Sequence, residues 1–224
     1  MTGMIQLEAA DGHRLDAYRA GPAGEAAAGL VVIQEIFGVN AHIRSVTERF
    51  AAQGFDAIAP ALFDRVGRGI ELGYEADDIA DGRAIRAKVA TDEALADVAA
   101  AVAALGADGR KVGVVGYCWG GSLAWAAATR LDGVGAAVSY YGGQVAEWAD
   151  EQPRCPVMLH FGETDASIPM EQVQTVRAKH PDLPLHVYPA GHGFSCDARA
   201  SYHAPSAALA LERTLSFLRK NLGR

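Results

Sequence analysis

The pentapeptide Gly116-Tyr117-Cys118-Trp119-Gly120 constrains this chain more than any other stretch. Before it stands Lys111-Val112-Gly113-Val114-Val115, a short, apolar, β-branched run that predicts a buried strand. After it, Gly120 to Ala128 is rich in Ala with Leu123 and Trp125, which predicts a helix. A sharp strand-to-helix turn with Gly on either side of a nucleophilic residue forces that residue into strained backbone angles. The flanking glycines, lacking Cβ, let strand and helix approach closely. The nucleophile position holds Cys118 where Ser is commoner. The competing reading is a small cysteine packed as a hydrophobe at a strand end.

The 224 residues suit one domain, 1–224, and 50% hydrophobic content is enough for a sizeable core. A net charge of −7 and the absence of a basic block argue against nucleic acid and anionic membrane surfaces as partners. No apolar run reaches bilayer length. Met1-Thr2-Gly3-Met4 shows no leader pattern, and Cys118, Cys155 and Cys196 are an odd set without metal-like spacing. The expectation is a cytoplasmic protein without disulfides, metal or cofactor, as a monomer or small homo-oligomer.

Along the chain, residues 4–19 with Asp11-Gly12 predict a hairpin. Strands are expected at 30–33, 55–59, 111–115, 134–140, 157–161 and 185–188, and helices at about 41–53, 92–105, 120–128, 170–180 and 205–221. Residues 61–91 carry little pattern and read as an excursion covering the site. Strands alternating with helices predict an α/β fold, a mostly parallel central sheet with helices on both faces and the hairpin as an antiparallel edge.

In such a sheet, working groups sit on loops after the carboxyl ends of strands. The strand at 111–115 is followed by Cys118, that at 157–161 by Asp165, and that at 185–188 by Gly191-His192-Gly193. Nucleophile, acid, base is the order of the α/β-hydrolase triad. His192 would take the thiol proton, and Asp165 would orient His192. Each has a plainer reading, Asp165 as a turn acid and His192 as a loop histidine. Glu35 follows the strand at 30–33, in the loop that commonly supplies an oxyanion N–H. The backbone N–H groups of Ile36 and Trp119 are the candidate donors, and Glu35 itself reads either as a surface acid or as an unusual carboxylate beside the site.

Gln34-Glu35-Ile36-Phe37-Gly38-Val39-Asn40, Gly116-Tyr117-Cys118-Trp119-Gly120-Gly121, Asp165, Gly191-His192-Gly193-Phe194 and Glu212-Arg213-Thr214 together resemble the dienelactone hydrolase (carboxymethylenebutenolidase) family. The resemblance spans about residue 5 to 220. It implies an α/β-hydrolase fold with Cys118, Asp165 and His192 as the triad, oxyanion donors at Ile36 and Trp119, and cleavage of an enol lactone. It further implies that Glu35 engages the resting thiol and moves when substrate binds. Family members that open dienelactone hold the substrate carboxylate with arginines, one in the excursion and one shortly after the histidine. Arg83 and Arg86 are near the first position, with Arg65 behind them; the second is displaced to Arg199, and Gly193 stands where the family has serine. Tyr140 and Tyr141 match a tyrosine pair near the family's pocket, with a core role equally open. The reading is a cysteine-dependent hydrolase of a small lactone or ester, working through a thioester. Its alternative is a thiol redox or electrophile sensor using Cys118.

Overall fold

A computed structural model describes residues 2–223. Eight strands form one sheet in the order β1-β2-β4-β3-β5-β6-β7-β8, comprising β1 (Thr2–Glu8), β2 (Arg14–Ala20), β3 (Ala28–Ile33), β4 (Phe55–Pro60), β5 (Val112–Tyr117), β6 (Val134–Tyr140), β7 (Val157–Gly162) and β8 (Leu185–Tyr188). The β1–β2 and β2–β4 pairs are antiparallel, and every other pair is parallel. The α/β expectation, with the hairpin at the antiparallel edge, agrees with this sheet. Asp11 closes the hairpin turn by accepting from the His13 N–H at 3.1 Å.

β3, β4 and β5 are buried at every residue, which is why their sequences run apolar without alternation. Helices cover both faces, namely α1 (Ala41–Ala52), α2 (Ala76–Arg86), α3 (Thr91–Gly106), α4 (Trp119–Arg130), α5 (Met170–Lys179) and α6 (Ala204–Leu222). Successive β5 residues show the two faces. Val112 lies against Gly29 and Gly106, on the α3 side, whereas Gly113 lies under Leu218 and Leu222 of α6. Asn40 caps α1 by accepting from the Ile43 N–H at 3.2 Å.

Two segments depart from the sequence expectation. β5 runs on through Tyr117 and α4 opens at Trp119, so the strand-to-helix turn is Cys118 alone. The stretch 61–91 holds a 3₁₀ turn, Leu62–Arg65, and the two-to-three-turn helix α2, started by a Glu75–Asp78 capping box. Only Gly82 of α2 is buried, so the helix has almost no apolar stripe to betray it.

Candidate active site

Cys118 sits between β5 and α4 at φ 55°, a left-handed conformation that costs a non-glycine residue energy and is held by the elements on both sides. Its N–H donates to the Tyr140 carbonyl at 3.0 Å and its carbonyl accepts from the Ser122 N–H at 3.1 Å. The Cys118 Sγ lies 3.2 Å from His192 Nε2. On the far side of the ring, His192 Nδ1 lies 2.7 Å from Asp165 Oδ2. Asp165 is buried, and its other oxygen, Oδ1, accepts from the N–H groups of Ser167 at 2.8 Å and Ile168 at 3.2 Å. The turn-acid reading of Asp165 and the histidine-orienting one are therefore satisfied at once, by different oxygens.

Burial alone would depress the His192 imidazole. Its hydrogen bonds to Asp165 and Cys118, and the charges of both, outweigh that and push it up to about 10. A cationic imidazole thus lies between a carboxylate and a sulfur.

Cys118 and His192 border a cavity of about 300 Å³, with Asp165 buried behind the histidine. Ile36 and Trp119 line it, and Trp119 opens α4, where first-turn N–H groups have no intrahelical acceptor. Arg83, Arg86 and Arg199 line it too. Arg86 is held by Gln144, whose side-chain oxygen accepts from Nη2 at 2.6 Å. Gln144 is in turn fixed through its N–H to Ser122 Oγ at 3.0 Å. Arg199 lies over the Phe37 ring and approaches Glu35 Oε1 at 3.3 Å. Gly193 makes room for this arginine, because a Cβ there, at φ +75°, would stand 2.6 Å from its Nη1.

Glu35 is 1% exposed, so it is no surface acid. In this conformation the Cys118 thiol pairs with His192 and the Glu35 carboxylate with Arg199, not with each other. Two expectations need correction. Tyr140 is not among the residues lining the cavity. It is buried, its hydroxyl bonds Thr214 Oγ1 at 2.7 Å, and it borders a different hollow between α1 and α6. Arg65 is also remote from the cavity, because Asp97 and Asp11 hold it at 2.7 and 2.6 Å. Conversely, Ile79 lines the cavity and was not singled out. Its spacing to Arg83 and Arg86 places all three on one face of α2, a signal the polar composition obscured.

The family model described as the dienelactone hydrolase family matches residues 15–222. The chain belongs to the dienelactone hydrolase family. A Synechocystis sp. relative provisionally named carboxymethylenebutenolidase is 37% identical over 212 residues, covering 86% of each chain. The carboxymethylenebutenolidase of Pseudomonas putida is 34% identical over 229 residues, covering 97% of this chain and 96% of its own. Among solved structures, a protein from Klebsiella pneumoniae provisionally named dienelactone hydrolase superposes with a TM-score of 0.83 at 30% identity, covering 97% of this chain and 99% of its own. As in the rest of the dienelactone hydrolase family, the sheet is that of an α/β-hydrolase. No helix among the described residues is long and apolar enough to cross a membrane.

Proposed function

We propose that this member of the dienelactone hydrolase family opens a small lactone or cleaves an activated carboxylic ester through a thioester formed on Cys118. The observation that carries the reading is the continuous row from Cys118 Sγ through His192 to Asp165, with separations of 3.2 and 2.7 Å. The Cys118 thiolate adds to the substrate carbonyl carbon, and the electron pair moved onto oxygen meets the N–H groups of Ile36 and Trp119. Collapse of that adduct breaks the ester C–O bond, and the His192 imidazolium protonates the departing oxygen. Water, deprotonated by His192, then attacks the thioester; the acid leaves and the proton returns to the dyad. Asp165 holds the imidazole with Nε2 towards the sulfur.

Glu35 is proposed as a gate, engaging the thiol in the resting protein and releasing it when substrate enters. Its support is a buried carboxylate one residue from the Ile36 donor, poised between the site and Arg199. Because Arg199 and Gly193 depart together from the family pattern, dienelactone itself is expected to be a weak substrate beside activated esters and simpler lactones.

The test is hydrolysis of p-nitrophenyl acetate and of enol lactones, with mass spectrometry of quenched enzyme. Cys118→Ala is expected to lose turnover and the acyl adduct, while Cys155→Ala keeps both. Persistent turnover in Cys118→Ala refutes the nucleophile; a stable sulfenic acid on wild type without ester turnover favours the redox reading. Glu35→Ala matching wild type in turnover and thiol alkylation, with and without a substrate analogue, refutes the gate.

A further inference from the structure

Three buried side chains from distant parts of the chain converge beside the cavity. Glu35 follows β3, His42 lies in the first turn of α1, and Cys196 lies in the loop after His192. One donor atom from each lies within 4.8 Å of the other two. We infer that Glu35, His42 and Cys196 form a binding site for a borderline-soft divalent metal ion such as Zn²⁺.

The tetrahedral geometry preferred by such ions has bonds of about 2.0–2.3 Å and so places donors about 3.3–3.8 Å apart. The three donor atoms, within 4.8 Å of one another, would close in on the ion to reach that spacing. The donor set of carboxylate, imidazole and thiolate suits Zn²⁺ or Co²⁺, not the oxygen-seeking Mg²⁺ and Ca²⁺. Two further observations point to a ligand. Glu35 Oε2 is fully buried and has no hydrogen-bond partner, a costly state for a carboxylate oxygen. His42 Nδ1 lies 2.8 Å from Asp197 Oδ1, and with the proton on Nδ1 the ring's lone pair is on Nε2. A carboxylate behind a histidine is the outer support that metal-binding imidazoles commonly have.

The charges also balance. Metal entry forms the metal–sulfur bond and releases the Cys196 thiol proton to solvent. The ion's two positive charges then meet one carboxylate and one thiolate. Binding would draw Glu35 away from Arg199 and so reach the cavity without blocking Cys118.

Spectroscopy separates this site from the Cys118–His192 pair. In Cys118→Ala/Cys155→Ala protein, Cys196 is the sole thiol left of the three. Titration with Co²⁺ is expected to give tetrahedral visible bands and a thiolate charge-transfer band at one ion per chain, with Zn²⁺ displacing Co²⁺. His42→Gln in that background should weaken binding at least tenfold, with Asp197→Asn between the two. Circular dichroism and thermal melting establish that each protein is folded; Cys118→Ser/Cys155→Ser replaces the background if the alanine version is not. Co²⁺ binding without a thiolate band, no binding, or unchanged affinity in His42→Gln overturns the site. None of these readouts depends on hydrolase activity, so the site stands or falls apart from the proposed reaction.

Discussion

A single imidazole gives the sharpest pH expectation. His192 titrates ordinarily at 6.5 and is pushed up to about 10 in the folded chain by Asp165 and Cys118 against the effect of burial. A folded-state rise means that the native protein holds the proton more tightly than the unfolded chain. The resulting stabilisation is complete below pH 6.5 and is lost as pH climbs through about 10. Urea unfolding followed across that window should show stability declining with pH in the wild type, with a shallower decline in His192→Gln. Equal slopes in the two proteins would show that the Asp165–His192–Cys118 row does not bind the proton as described. Cys118, Asp165 and His192 were legible in the sequence because each follows a strand in a fixed order. Of the pocket and core roles left open for Tyr140, the core one holds, because adjacent residues at a strand end point to opposite faces. Its hydroxyl goes to Thr214, whereas the ring of its neighbour Tyr141, at φ 40°, lies 5.2 Å from His192.

Among the elements, α2 is the one that sequence periodicity passed over. Helical patterns are read from apolar stripes, and α2 buries only Gly82, where a Cβ would overlap the Ile36 carbonyl. Its signal lay in a capping box and in Ile79, Arg83 and Arg86 sharing a face, none of which is hydrophobic patterning. That face and Arg199 supply the cations of the cavity. Matched neutral and carboxylate-bearing esters, assayed in Arg83→Ala, Arg86→Ala and Arg199→Ala, measure what those cations do. At least one variant should lose about 1–3 kcal/mol of discrimination, the scale of a charged hydrogen bond. Equal losses on both substrates would leave a generic esterase pocket. The long apolar elements, by contrast, were legible to within a residue or two, since burial on both sides leaves β3 and β5 no polar positions.

Across the whole molecule, what the sequence could not display was contact between remote segments. Arg65 looked like a pocket cation and is instead a tie, joining the β1–β2 turn through Asp11 to α3 through Asp97. The Asp97 side chain is 0% exposed and that of Arg65 9%. Burial raises Asp97, and Arg65 offsets this. Arg65→Ala should therefore destabilise the fold by about 3–5 kcal/mol, the usual result of stranding a buried charge, with catalysis per folded molecule unchanged. Denaturation midpoints check this, and a loss below about 1 kcal/mol would mean that the tie is merely a surface pair. The contact between Glu35 and Arg199 is equally invisible in the sequence, and it changes what a cationic pocket means. Arg199 reaches the cavity with an anion already tethered to it by the chain. A free acid entering the cavity has to compete with a rival whose local concentration no solute matches. A neutral ester meets no such rival. The pocket therefore carries an internal competitor against the very class of substrate that its arginines would otherwise attract.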